Sequence, residues 1–263
     1  MTNDIHHESN AIWEQNAAFW DERGGDDGLV MQRTLIAPAT ERLLDLKPGE
    51  SVLDIACGNG AFARRMAQLG ARVVACDVSP TFIERAKART TQYANRIDYR
   101  VIDATDRNAL LALGAQSFDA AVCTMALMDM PEIAPMLTAM RELLKPGGRF
   151  VFSITHPCFN SCPGLKRVAI EEDRDGQIID VYAIQISGYA APETYRGLGI
   201  IGQPVPQYYF HRPLNLLFGE CFRAGFVVDA IEEPTFSAEA KPNRPFSWEN
   251  YHEIPPVLIA RLR

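Results

Sequence analysis

Val52-Leu53-Asp54-Ile55-Ala56-Cys57-Gly58-Asn59-Gly60-Ala61-Phe62-Ala63 is the stretch on which the fold of this 263-residue chain turns. An apolar run that reads as a strand enters a glycine turn and leaves it at once as a helix. Gly58 and Gly60 let the backbone approach a ligand that a Cβ would obstruct. The same pattern also serves an ordinary strand-to-helix turn, so its surroundings must decide between the two.

Outward from this turn, strand and helix patterns alternate. Ser51 to Ala56 reads as a strand, and Ala61 to Leu69 as a helix with Phe62, Met66 and Leu69 on one face; Gly70 ends it in a left-handed cap. Arg72 to Asp77 is the next strand, and Ser79-Pro80 opens the following helix with an N-cap residue and Pro at the first helical position. Asp98 to Ile102 and Phe118 to Cys123 are short apolar strands. Pro131 to Leu144 holds a 3.6-residue period through Ile133, Met136, Leu137, Met140, Leu143 and Leu144. Lys145-Pro146-Gly147-Gly148 stops that helix before a fifth strand, Arg149 to Ile154. Strands alternating with helices in this way predict a parallel sheet covered on both faces.

Upstream, residues 8 to 46 read as two helices interrupted by Gly24, Gly25 and Gly28. Downstream the alternation breaks: residues 155 to 210 are rich in Pro, Gly and aromatics, with a hairpin expected to turn at Asp175-Gly176. A tract this long without regular pattern points to a functional insertion. A helical stripe returns at Leu214, Leu217, Phe218, Cys221 and Phe222 and ends at Gly225. Strands are expected from Val227-Val228 and over Val257 to Leu262.

At 47% hydrophobic and 22% charged, the chain can bury a large core. Its net charge of −7 argues against a nucleic-acid partner, which would demand a basic face. The polar start MTNDIHHESN lacks the apolar stretch of a signal peptide, and the longest apolar run, near 120 to 128, is too short to span a bilayer. A cytoplasmic location, away from membranes, is expected. The six cysteines include one close pair, Cys158 and Cys162, with no second pair at zinc spacing, so no metal site is expected.

Two cofactors compete for the turn. Gly58-x-Gly60-x-x-Ala63, with Asp77 nineteen residues past Gly58, fits a relaxed dinucleotide fingerprint. Asp54 argues otherwise, because a carboxylate near the helix N-terminus would repel a pyrophosphate. S-adenosylmethionine brings an ammonium and a sulfonium, which an acid attracts.

VLDIACGNG resembles the first motif of class I S-adenosylmethionine-dependent methyltransferases, and VVACDVSP their second, acidic motif. IDYRVIDATD is similar to the third, FDAAVCTMALMDMPE to the fourth, and LLKPGGRFVFSI to the segment closing the core. Order and spacing match over residues 51 to 154, and the upstream WEQNAAFWD resembles a helix that covers the cofactor in small-molecule members. The resemblance implies that Ala56, Gly58, Asn59 and Gly60 line the methionine part with Asp54 near its amino group. It implies that Asp77 accepts both ribose hydroxyls, an ionised carboxylate offering only acceptors. Val78 and Ala104 would flank the adenine, Asp103 would accept its exocyclic amine, and backbone near Cys123 would meet the methionine part again. Trp20 and Arg33 would complete the roof. Loop or capping roles for Asp77 and Asp103 remain open alternatives.

Methyl transfer is an in-line displacement, so positioning can carry much of the catalysis and a base is needed only where the acceptor loses a proton. His156, following the fifth strand, is the candidate catalytic base, with a structural role as the alternative. Gln207, Tyr208, Tyr209 and His211, from GQPVPQYYFHRPL, are candidates for the acceptor wall, or for packing the insertion on the sheet. Pro157-Cys158 is similar to the nucleophile dipeptide of cytosine-C5 methyltransferases but follows the wrong strand. The Asn/Asp-Pro-Pro-aromatic signature of exocyclic-amine DNA methyltransferases is absent from 123 to 128. Both favour a small acceptor.

The expected fold is a doubly wound, Rossmann-like α/β domain whose seven-stranded sheet runs 3-2-1-4-5-7-6, with an N-terminal helical cover and a lid after strand five. Its expected parts are a cover (1–46), a cofactor core (47–154), a lid (155–210) and a completing segment (211–263). The expected function is methyl transfer from S-adenosylmethionine, leaving S-adenosylhomocysteine, to an O, N or C atom of a small metabolite. The alternatives are a nicotinamide-dependent dehydrogenase and a non-catalytic S-adenosylmethionine-binding protein.

Overall fold

The computed structural model describes residues 2–240 and 244–263. Helix α1 (Thr2–Gly24) precedes a five-residue π-helical turn, Gln32–Ile36, that runs into α2 (Ala37–Leu44). Pro38 lies in the first turn of α2, and Ala37 N–H reaches back to Gln32 O, a five-residue step. The turn read as decisive joins β1 (Ser51–Ile55) to α3 (Ala61–Gln68). There follow β2 (Arg72–Asp77), α4 (Pro80–Arg89), β3 (Ile97–Val101), α5 (Arg107–Leu111) and β4 (Phe118–Thr124). Then come α6 (Ala134–Leu143) and β5 (Leu144–Thr155).

The strand order is that expected from the sequence. With β10 (Val228–Glu232) and β11 (Val257–Leu262), the sheet reads β10-β11-β5-β4-β1-β2-β3, which is 3-2-1-4-5-7-6 when only its own strands are counted. β1 lies at the centre, parallel to β2 (Val52 beside Val73) and to β4 (Val52 beside Ala120). Its Val52 to Ile55 are all buried, the pattern of a strand covered on both faces. On one face pack α5, α6 and α7 (Leu214–Arg223) through Leu110, Met136, Leu137, Met140, Leu217 and Cys221. On the other pack α2, α3 and α4 through Leu43, Leu44, Ala63, Met66, Ile83 and Ala86. The reversal of order between β1 and β4 opens a crevice above the strands' carboxyl ends, where ligands bind in such sheets.

Two local expectations need correction, and one helix went unread. The helix expected from Pro131 begins at Ala134, because the carbonyls of Met130 and Pro131 are taken by the Arg212 guanidinium, at 2.6 and 2.8 Å. Lys145–Gly148 does not separate helix from strand but loops out within β5, so Leu144 pairs with Phe118 and Arg149 with Ala120. Helix α5 was not expected: five residues carry no periodicity, and its signal is Asp106, which caps Asn108 N–H and Ala109 N–H.

In the insertion, β6 (Lys166–Arg174) and β7 (Gln177–Gln185) form the expected hairpin, with Asp175 and Gly176 both at positive φ, 54° and 82°. A second hairpin, β8 (Glu193–Gly197) with β9 (Gln207–His211), lacks a tight-turn signal and went unread. No helix among the described residues is long and apolar enough to cross a membrane.

Candidate active site

The β1-to-α3 turn is a strained backbone. Ala56 (φ 53°), Gly58 (54°) and Gly60 (76°) are all left-handed. An alanine there costs about 1–2 kcal/mol, and the cost is concentrated where the turn meets a cavity. Met125, just past β4, is also left-handed (φ 55°) and held by Ser153 O at 2.9 Å, so the two strands flanking the crevice both end in this conformation. The glycines differ in purpose. A Cβ on Gly58 would meet only Phe82, at 4.0 Å, because the cavity lies in front of it. A Cβ on Gly60 would fall 2.4 Å from the Tyr99 hydroxyl. The lack of a side chain at Gly60 therefore makes room for Tyr99.

Asp77, at the end of β2, accepts from Gly58 N–H at 2.9 Å and from Ser79 N–H at 2.9 Å. Burial pushes its carboxyl up to about 6, against the pull of those backbone donors. Asp54 is fully buried one layer behind the turn, and neither carboxylate oxygen has a partner. Burial and then the Asp77 charge push it up to about 8. A buried carboxyl without a donor is costly. A cation above the turn would relieve it, whereas a pyrophosphate would not.

The crevice is a cavity of about 1360 Å³, larger than the ~300–1,000 Å³ of ordinary ligand pockets, so it has room for two molecules. Ala56, Gly58, Asn59, Asp77, Val78, Asp103 and Ala104 all lie on its wall. Cys123 does not; it is wholly buried, and Thr124 to Ala126 beyond it form that part of the wall. Asp103 is already engaged: Thr105 occupies one oxygen, and His6 and Asn10 reach the other at 2.8 Å each. An adenine amine would have to share or displace those donors.

The roof is α1. Glu14 holds it to Ser79 and Thr81 at the start of α4, and Asp21 to Arg85, Arg89 and Asn59. Trp20 and Arg33 line the cavity; the Trp20 indole N–H is buried without a partner, while Arg33 donates to Gly28 O at 2.6 Å.

The far end differs most from expectation. His156 is 2% exposed and off the wall: Nδ1 accepts from Cys158 N–H at 3.1 Å, and Nε2 faces Glu233 at 2.7 Å. Burial lowers its pKa, against the Glu233 charge. His211 is buried between Ser161 Oγ and Tyr189 O, and the Tyr208 hydroxyl donates to Glu8 on the outer surface. Both ring nitrogens of each histidine are occupied, and none of these three residues reaches the cavity. Tyr209 does, stacked on Tyr195 at 5.4 Å.

The acid at this end is Asp129, beyond β4. It lines the cavity, burial holds its carboxyl well above the usual range, and Gln207 donates to it at 3.2 Å. Gln203 in turn donates to Gln207 at 3.0 Å. Its sequence signal, one acid inside the apolar run Met125 to Met130, was readable as a buried polar group needing a partner.

Sheet order, left-handed turn and buried acids together give the fold of class I S-adenosylmethionine-dependent methyltransferases, and residues 53–152 match the methyltransferase domain family. A curated relative is the ubiquinone biosynthesis O-methyltransferase of Xanthomonas oryzae pv. oryzae (strain PXO99A), 34% identical over 135 residues, 51% of this chain and 55% of that one. The chain spans about half the length of the curated relatives it matches. An S-adenosylmethionine-dependent methyltransferase from Mesorhizobium loti superposes with a TM-score of 0.69 at 26% identity, covering 86% of this chain and 96% of that one. The 1,6-didemethyltoxoflavin-N1-methyltransferase of Burkholderia thailandensis, solved with bound 1,6-didemethyltoxoflavin and S-adenosylhomocysteine, shares the fold (TM-score 0.58, 17% identity, 98% of this chain and 89% of that one).

Proposed function

We propose that the protein transfers a methyl group from S-adenosylmethionine to an O, N or C atom of a small metabolite in the cytoplasm. The observation that carries this reading is the pair of buried acids at the β1-to-α3 turn, of which Asp54 has no partner for either oxygen. The relatives' activities support it, and the unpartnered Asp54 carboxyl behind the turn weighs against the pyrophosphate of a nicotinamide dinucleotide. The net charge of −7 supports a metabolite over a nucleic acid. We take the chain as one methyltransferase domain, with 1–46 as cover and 155–210 as lid.

When bound, the cofactor supplies an activated methyl carbon. The protein's part is placement. Asp77 has acceptor capacity for ribose hydroxyls beyond its two backbone donors. Gly58 leaves space at the turn, and α1 with Trp20 excludes water from above. At the other end Asp129, oriented by Gln207, and Tyr209 are suited to orient a polar group of the acceptor. His156 fits a scaffold role, tying the start of the insertion to Glu233.

The test is turnover of S-adenosylmethionine with phenols, carboxylates and heterocyclic amines, read as S-adenosylhomocysteine release. Release stimulated by one acceptor class supports the reading. A protein that binds neither S-adenosylmethionine nor its product contradicts it.

A further inference from the structure

We propose that the methyl acceptor carries a carboxylate, held by the guanidinium groups of Arg167 and Arg244 beside the Trp248 indole. This rests on the methyltransferase reading above and names the chemistry of its acceptor. Arg167 projects from β6 and Arg244 from the segment before β11; both line the cavity, as do Trp248, Asn160 and Thr155. The Arg167 guanidinium carbon lies 5.5 Å from the centroid of the Trp248 ring. The two arginines repel one another, a penalty that adds to partial burial of Arg167.

Among the described residues neither arginine has an acid partner, whereas Arg85 and Arg89 share Asp21, Arg65 takes Glu41 and Arg149 takes Glu50. Unpaired cations brought together on a cavity wall favour an anion there. The backbone beneath Arg244 is fixed, its carbonyl accepting from Ser247 N–H and Asn250 Nδ2, each at 3.1 Å. The acid across the cavity, Asp129, is engaged by Gln207 at 3.2 Å, and burial raises its carboxyl, which works against a negative charge there. The other lining arginines without an acid partner, Arg33 and Arg64, are committed to backbone carbonyls, Arg33 to Gly28 O and Arg64 to Asn59 O and Asp26 O. A carboxylate bound by two guanidiniums is stabilised as an anion and loses nucleophilicity, so the methyl group goes to a different atom of the acceptor.

The experiment titrates benzoate and benzamide, which differ in charge and little in shape, into protein saturated with S-adenosylhomocysteine. Wild type should bind benzoate with a Kd below about 10 mM and at least about tenfold more tightly than benzamide. Arg167→Gln and Arg244→Gln should each remove that preference while S-adenosylhomocysteine affinity stays within about threefold. Arg244 is exposed, so its variant tests the idea even if Arg167→Gln folds poorly. Equal binding of the two probes, no benzoate binding, or an unchanged preference in both variants overturns the inference. Loss of S-adenosylhomocysteine binding in either variant overturns it too, by assigning the arginines to the cofactor. Failure of wild type to bind S-adenosylhomocysteine is a separate result, which removes the methyltransferase reading itself.

Discussion

The wall formed by residues between 56 and 104 comes from the ends of three neighbouring parallel strands, β1, β2 and β3, whereas the wall opposite draws on the segment after β4, the β8–β9 hairpin, β6 and a turn near Trp248. At the first wall the acids are fixed in large part by the strand ends themselves, Asp77 by Ser79 and Gly58 N–H and Asp103 by Thr105, with His6 and Asn10 of α1 added from above. At the second, partners are remote in the chain, as Asp129 and Gln207 are. One wall is thus set mainly by strand ends and their turns under the α1 roof, and the other exists only once the insertion has folded down. The local wall suits a ligand shared by many proteins; the assembled wall can change with its loops.

The largest effect should separate the two glycines of the local wall. Gly58→Val should cut S-adenosylhomocysteine affinity by roughly a hundredfold, about 2.7 kcal/mol, in a protein that still folds. A β-branched residue at φ 54° is strained, and its side chain enters the cavity. Gly60→Ala should instead lower the melting temperature through Tyr99 and leave the affinity of the folded fraction unchanged. Calorimetry beside thermal melts checks both; a Gly60→Ala protein of normal stability that binds no cofactor would break the distinction.

Next in size, Asp129→Asn should reduce turnover about tenfold with cofactor affinity within about threefold, since the residue stands on the assembled wall. Cofactor loss in this variant would mean that the two walls are not separate.

The pH dependence of the free protein sharpens the comparison further. With Asp54 pushed up to about 8 from an unfolded value near 3.8, the folded state binds the extra proton between those values. That stability is complete below about pH 4 and is lost as pH rises through 8, at up to about 1.4 kcal/mol per unit. Asp77, at about 6, acts in the same direction over the lower part of the window. The melting temperature should therefore fall from pH 5 to pH 9, and Asp54→Asn should flatten the slope. A wild-type slope as flat as the variant's would show that Asp54 already has a partner.

The smallest effect is expected at His156. Its alanine variant loses the bonds to Cys158 N–H and Glu233 and should melt lower, yet its turnover across pH should match wild type. A selective loss of turnover would return it to the reaction.

The same contrast explains what the sequence disclosed. Strand β1, the glycine turn and Asp77 were legible because hydrophobic runs and capping residues are local signals, and the strand order followed from family resemblance. Asp129, Tyr195, Arg167 and Trp248 were not assigned, because nothing in a linear pattern says which insertion residues meet across a cavity. His156 shows the same limit: it follows the expected strand, and only the fold reveals that Cys158 and Glu233 engage its ring, in keeping with the structural alternative. Gly60 shows the subtler limit, since a glycine spared for a ligand and one spared for Tyr99 look alike in sequence.

The central claim is that the local wall holds S-adenosylmethionine and not a dinucleotide. Calorimetric titration of the wild-type protein with S-adenosylhomocysteine and, separately, with NAD+ tests it most directly. One saturable site for S-adenosylhomocysteine, weakened in Asp77→Ala by roughly 1–3 kcal/mol, with no heat from NAD+, is the predicted result. Saturable NAD+ binding in a protein indifferent to S-adenosylhomocysteine would contradict it.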